Sequence, residues 1–147
     1  MTDADRPVRQ LLADYAAAVL AKDVDAFVAL YADDALIYEL WGTWTHDIAS
    51  WREMAKGWFA FLGDQRSVVE AADVRTTVSG DMALLTAFLT YRGVDASGQE
   101  LRSLDNRLSW VLRERGGRWQ VVHEHTSVPL AHEDGKGILK RPAPATP

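Results

Sequence analysis

The 147-residue sequence contains no cysteine. Disulfides, thiolate zinc sites, iron–sulfur clusters and thiol nucleophiles are excluded together. Positive charge is not in excess: 16 Lys and Arg face 21 Asp and Glu, for a net charge of −5. That balance disfavours a phosphate backbone as partner. No apolar run is long enough to span a bilayer, and the opening MTDADRPVRQ is polar and acidic where a signal peptide needs a cationic start and an apolar stretch. The expectation is a cytoplasmic protein with neither nucleic acid nor membrane as partner. There is no HExxH and no G-x-S-x-G turn, and GKG at 135–137 leads into no helix. Neither metal nor cofactor is therefore expected. What the chain does have is tryptophan, six residues in a short sequence. Each brings a large apolar area and an N–H that needs a partner, which an aromatic-lined pocket or a subunit interface would use.

The length fits one domain around one core. Val8, Leu11, Leu12, Tyr15 and Val19 recur at helical spacing, with Asp5 as cap and Pro7 in the first turn. Asp23 caps a second helix whose Val24, Phe27, Val28 and Tyr31 keep the same rhythm. ALIYELW at 35–41 reads as a strand closed by Gly42. A third helix over 47–62 carries Ile48, Trp51, Met54, Ala55, Trp58, Phe59 and Leu62 on one stripe and stops at Gly63. After that the period changes to two. Segments 68–78, 82–91, 100–113 and 118–128 read as strands, and the short separators SGD, GVDASG and RGG make them an antiparallel meander. The class is α+β, with helices on one face of the sheet. Strands of this length twist and bend at bulges, so the sheet should curl into a cup. The domain is expected over 1–130. The tail 131–147, with EDGKG and RPAPATP, has little to bury and should trail or be loosely pinned.

YAAAVLAKDVDAFVALYADDALIYELWG, followed at the far end by NRLSWVLRERGGRWQVVHEHTSVPL, resembles the nuclear transport factor 2-like superfamily. Within it the closing strands are similar to SnoaL-like and ketosteroid isomerase-like members, with Gly117-x-Trp119 and then His123-x-His125-x-Ser127. The resemblance covers the chain up to about Leu130. It implies a cone-shaped barrel: a strongly curved, mixed, mostly antiparallel sheet with three N-terminal helices packed on its concave face. It further implies a cofactor-independent isomerase, cyclase or lyase, acting by general acid–base proton transfer on a small hydrophobic carbonyl compound, polyketide- or steroid-like. The same fold also serves as a non-catalytic ligand-binding or dimeric assembly domain. By position, Tyr15 matches the isomerase tyrosine that donates to the substrate oxygen, and Glu39 stands where the isomerase has its catalytic aspartate. Ser109 stands at the second donor position, where the isomerase has a neutral aspartic acid that donates more strongly.

Glu39 is the only acid within ALIYELW. Facing the cup, it would be desolvated and made a usable base near neutral pH; facing water, it would be an ordinary strand-end glutamate. Tyr15 lies on the apolar stripe of the first helix, so it is either a core aromatic or a ligand-facing donor. Trp41, Trp58 and Phe59 are candidates for an apolar wall, with Trp44 and Trp51 in the same cluster. In RWQVVHEHTSVPL, period two puts His123, His125 and Ser127 on one face and Glu124 and Thr126 on the other. Trp119 and Val121 share the histidine face and argue that it is buried, whereas the isomerase pattern puts Val122, Glu124 and Thr126 inside. A single bulge would swap the faces. His125 and Arg107 are the candidates for polarising or protonating a carbonyl. His123, Glu124 and Ser109 are candidates for binding. Arg107 has an alternative, an ion pair with Asp105 or Glu124. His-x-His is also a metal spacing, but it lacks a clear third ligand. A homodimer is expected, with Leu104, Leu108 and Trp110 on the outer face of the sheet.

Overall fold

Val8, Leu12, Tyr15, Ala18 and Val19 fall on one side of α1 (Asp5–Ala21) and are all buried, which is why this segment is a one-sided helix. Each such side chain contributes roughly 1.5–3 kcal/mol on leaving water. The cap is not Asp5 but Ala4; Asp5 sits in the first turn and accepts from the Thr2 amide and hydroxyl and from Thr76 on the sheet. Those bonds hold the Asp5 carboxyl down at about 2. The computed structural model describes residues 2–143.

α2 (Val24–Val28) is capped as expected, Asp23 Oδ1 accepting from the Ala26 amide at 3.0 Å. It is only five residues long, and Tyr31 belongs to β1 (Tyr31–Tyr38) instead. An apolar spacing over so short a run fits either structure. Pairing decides it, because the edge of the last strand offers ladder bonds here: the Val121 amide donates to Leu30 O at 2.9 Å. α3 (Ile48–Leu62) starts at Asp47, which accepts from the Ser50 amide at 2.9 Å, and ends at Gly63, whose φ of 58° a side chain would resist.

The meander is β2 (Arg66–Ser79), β3 (Met82–Val94), β4 (Glu100–Arg115) and β5 (Arg118–Ser127), each antiparallel to the next. β1 returns to lie parallel to β5, giving the order β1-β5-β4-β3-β2. The sheet is curled as expected but not a closed barrel, since β1 and β2 remain separate edges. Rows from α1, α2, α3 and the sheet's inner face meet in one core, with Phe27 touching the rings of Tyr15, Tyr31, Trp51, Trp58 and Phe59 at 5.4 to 6.5 Å.

The inner face of β4 corrects one expectation. Leu108 and Trp110 are 2% and 0% exposed and Leu104 is half-buried, so these residues do not form an outer dimer surface. The inner row of β3, Ala83, Leu85, Ala87 and Leu89, pairs with the opposite β4 row in register and fixes that parity. β5 holds a bulge: His123 pairs with Val111 but Val121 with Leu112, leaving Val122 as the extra residue. Both sequence readings therefore hold in part. Val121 is inside before the bulge; Glu124 and Thr126 are inside after it.

The tail is pinned as far as Arg141. The Asp105 amide donates to Leu139 O at 2.8 Å, the Arg141 amide donates to Asp105 Oδ2 at 2.7 Å, and the Arg141 guanidinium lies 3.7 Å over the Phe88 ring. Residues 144–147 of the expected flexible tail lie outside the described residues. Among the described residues no helix is long and apolar enough to cross a membrane.

Deleting Val122 makes Val121 and His123 neighbours, as their partners Leu112 and Val111 already are on β4, so the ladder becomes regular with Val121, Glu124 and Thr126 all still inside. The melting midpoint should then stay within about 4 °C of wild type. A fall of more than about 6 °C by circular dichroism, the size expected for turning the buried Glu124 outward, would mean that Val122 is not the extra residue.

Candidate functional site

The helices do not fill the curl of the sheet. Between them lies a cavity of about 710 Å³, predominantly apolar, walled by Trp51, Met54, Trp58 and Leu62 of α3 and by inward residues of β3, β4 and β5. Leu40 and Trp41, which follow β1, stand on another side, with Trp41 56% exposed. Polar side chains are set into these apolar walls.

Glu124 is 2% exposed. Its Oε1 accepts from the Tyr31 hydroxyl at 2.6 Å and from Trp110 Nε1 at 2.7 Å. Among the described residues Oε2 makes no hydrogen bond. Burial pushes the Glu124 carboxyl up to about 7; the two donors oppose that shift, and the neighbouring Glu39 adds to it.

Glu39 follows β1, where the strand has left its ladder with β5 and Thr126 Oγ1 accepts from the Leu40 amide at 3.2 Å. Desolvation raises its carboxyl to about 7 as well. Oε1 lies 3.2 Å from His46 Nε2. His46 is 8% exposed, and burial pushes its imidazole below the usual value, against the opposing pull of Asp47. Its other nitrogen, Nδ1, is 3.0 Å from Ser50 Oγ, and Ser50 in turn donates its hydroxyl hydrogen to Asp47 O at 3.2 Å. Ser50 Oγ is thus the acceptor, Nδ1 carries the ring proton, and Nε2 faces Glu39 as a base. Nε2 is then placed to accept a proton from Glu39.

Tyr15 on α1 meets Tyr91 on β3, their hydroxyls 2.7 Å apart. Burial raises both phenols. Both therefore stay protonated donors. Among the described residues Asn106 Oδ1 and Trp51 Nε1, in the same walls, are buried without a hydrogen-bond partner.

Of the residues singled out from sequence, Tyr15, Glu39, Trp41, Trp58 and Glu124 line the cavity. Phe59 is buried behind the wall, against Phe27 and Trp58. Four residues are corrected. His123, His125, Arg107 and Ser109 all lie on the outer face of the sheet, because Leu108, Trp110 and Glu124 occupy the inner positions of β4 and β5. There His123 Nδ1 is 2.8 Å from Leu36 O, Tyr38 packs edge-on against both histidines, and Arg107 Nε donates to Ser127 Oγ at 3.0 Å. Arg107 thus takes neither sequence alternative. Among the described residues no group of three or more His, Cys, Asp and Glu side chains is placed to hold a metal ion.

Five site residues escaped the sequence reading: Tyr31, His46, Tyr91, Asn106 and Trp110. Asn106 carried a signal, as the one polar residue in the inward row Leu104, Asn106, Leu108, Trp110 and Leu112. Tyr91 ends the inward row of β3 in the same way. His46 carried none, because its place beside Glu39 comes from a bridge in which the Ile37 and His46 amides each donate to the other's carbonyl across a loop.

A family model described as SnoaL-like domain matches residues 8–131. A solved structure of an NTF2-like protein of unknown function from Pseudomonas putida KT2440 is 25% identical, covers 97% of this chain and 98% of its own, and superposes with a TM-score of 0.83. A proposed aromatic ring hydroxylase from Novosphingobium aromaticivorans is 22% identical over 86% of this chain and 90% of its own, with a TM-score of 0.70. Aln2 from a Streptomyces species is 12% identical over 86% and 90%, with a TM-score of 0.73. No curated protein matches the sequence.

Raised carboxyls make stability depend on pH in a known direction. Folded Glu39 and Glu124 keep their protons to about 7, whereas unfolded glutamate releases its proton near 4.5. The stabilisation is complete below the unfolded value and is lost as pH rises through the folded one, at up to about 1.4 kcal/mol per pH unit for each group. Urea unfolding at pH 5, 6, 7 and 8 should show falling stability. Glu124→Gln, which still accepts from Tyr31 and Trp110, should flatten the slope; an equal slope would mean that Glu124 is ionised throughout.

Proposed function

The chain belongs to the SnoaL-like domain family, and on that premise we propose that it is a cofactor-independent enzyme of general acid–base proton transfer. Its substrate is a small apolar carbonyl compound, polyketide- or steroid-like, and the outcome is isomerisation, cyclisation or dehydration. The observation that carries this reading is the pair of carboxyls, Glu39 and Glu124, both near neutrality in one apolar cavity beside a protonated phenol. Two like charges in such a space oppose each other, so ionising one keeps the other neutral. That yields one base and one acid at the same pH.

Glu39 is the better base, because His46 Nε2 can hold the proton it gains. It removes a hydrogen from the carbon beside the carbonyl; the C–H electron pair becomes the new C=C bond, and negative charge moves to the carbonyl oxygen. Tyr15 donates to that oxygen, and neutral Glu124, through the free Oε2, offers a second donor in a water-poor site. Returning the proton to another carbon, or losing a hydroxyl, completes the reaction without any redox partner. Trp51 and Trp58 provide the flat apolar wall that holds a ring system.

The test is deuterium uptake beside the carbonyl in a panel of steroid, naphthyl and other polycyclic ketones in D2O, followed by mass spectrometry. The wild type should exchange at least one of them. Glu39→Gln should slow the exchange by about 10²- to 10⁴-fold while melting at pH 5, where the Glu39 carboxyl is protonated, is unchanged. A Glu39→Gln protein as fast as wild type would remove this residue from the mechanism. Ligands bound but recovered with no label would favour the binding-domain alternative. The rate for wild type should rise with pH through about 7, as Glu39 loses its proton.

A further inference from the structure

Ten of the twelve arginines have a hydrogen-bond or ion-pair partner among the described residues. The other two, Arg75 on β2 and Arg102 on β4, are both exposed, and of these Arg102 lines the mouth of the cavity. Arg102 is built into its position. It pairs in register with Gly93 of β3, and its side chain lies across that glycine: a Cβ there would stand 3.0 Å from Arg102 Cζ and 3.1 Å from Cγ and Nε. Gly93 is itself buried and lines the same cavity, so the absence of its side chain makes the trough in which the guanidinium lies. Glu53 of α3, which also lines the cavity, pairs with Lys56 at 2.9 Å instead. Among the described residues no carboxylate comes within 4 Å of Arg102, although 21 acidic residues are in the chain.

We propose that Arg102 is a specificity residue, and that the substrate is an apolar carbonyl compound bearing a carboxylate or similar anionic group remote from the reacting carbon. The remoteness follows from register. Glu39 lies just past the pairing of Tyr38 with His125, next to Thr126, which pairs with Leu108; Arg102 is six positions further along β4. That is on the order of 20 Å of extended strand, shortened by the curl of the sheet. An apolar body lies between the tryptophans while its two ends meet Arg102 and the Glu39, Tyr15 and Glu124 cluster. A planar guanidinium suits a carboxylate, which it can take with two parallel hydrogen bonds. The proposal rests on the cavity being the substrate site and names what it selects.

The probes are 1-pyrenebutyrate and 1-pyrenebutanol, fluorescent, alike in ring system and chain and different in charge. Titrated at pH 6, where the cavity carboxyls are neutral, the wild type should bind the acid about 10-fold more tightly. Arg102→Gln should bring the two within about 2-fold, with the alcohol unaffected. Should that variant lose its native melting, Gly93→Ala decides instead: it keeps the charge but fills the trough, and the preference should fall by several-fold. Equal binding by the wild type, binding of neither probe, or a preference that survives both substitutions overturns the proposal. Arg75→Gln, at an exposed arginine outside the cavity, must leave the preference intact. Discrimination without deuterium exchange would sink the catalytic reading alone; exchange without discrimination would sink this one alone.

Discussion

A glutamate with 2% of its surface exposed has to be either neutral or well bonded, and Glu124 is close to the balance point between the two. Its partners, Tyr31 and Trp110, come from β1 and β4, the strands flanking β5 in the sheet. The three side chains therefore tie the parallel and antiparallel parts of the sheet to one atom, Oε1. Moving β1 by one residue, or turning β4 over, would strand a buried acid, a phenol and an indole N–H at once. The bulge at Val122 lets β5 satisfy this knot and still bury Val121. A feature that looks like an irregularity in one strand is thus what makes the cavity polar at its floor.

Around that floor the walls act through what they exclude. Tryptophans, Met54 and Leu62 keep water from competing for the carboxyls and phenols, so desolvation raises Glu39 and Glu124 together, and the nearness of Glu39 adds to the rise at Glu124. His46 adds an adjustable element. Ser50 fixes its tautomer through Nδ1, and Nε2 is left as a place for a proton beside Glu39. Phe27, in contact with five aromatic rings, joins α1, α2, α3 and β1 behind the cavity, so the groups that face it stand on a packed scaffold.

A cone of this kind serves many functions, and its membership in a family says more about shape than about chemistry. Here the departures are informative. The strand position that resembles the isomerase's second acid holds Ser109, and that residue faces out. A buried acid is nonetheless present one strand away, at Glu124, in contact with the same space as Tyr15. In this chain a phenol and a buried acid line one cavity, with β5 rather than β4 supplying the acid.

Periodicity alone determined the helix stripes, the meander and the α+β class, because burial of one face imposes a repeat of 3.6 or 2 on any chain that folds this way. Resemblance brought Tyr15 and Glu39 into view. Three matters were decided only by tertiary structure. Tyr31 left its helical pattern because the edge of β5 offered it hydrogen bonds; Glu124 faced inward because one extra residue shifted the parity of β5; and His46 came beside Glu39 through a loop bridge. Each depends on a partner distant in the chain, and no local repeat in the sequence carries that information.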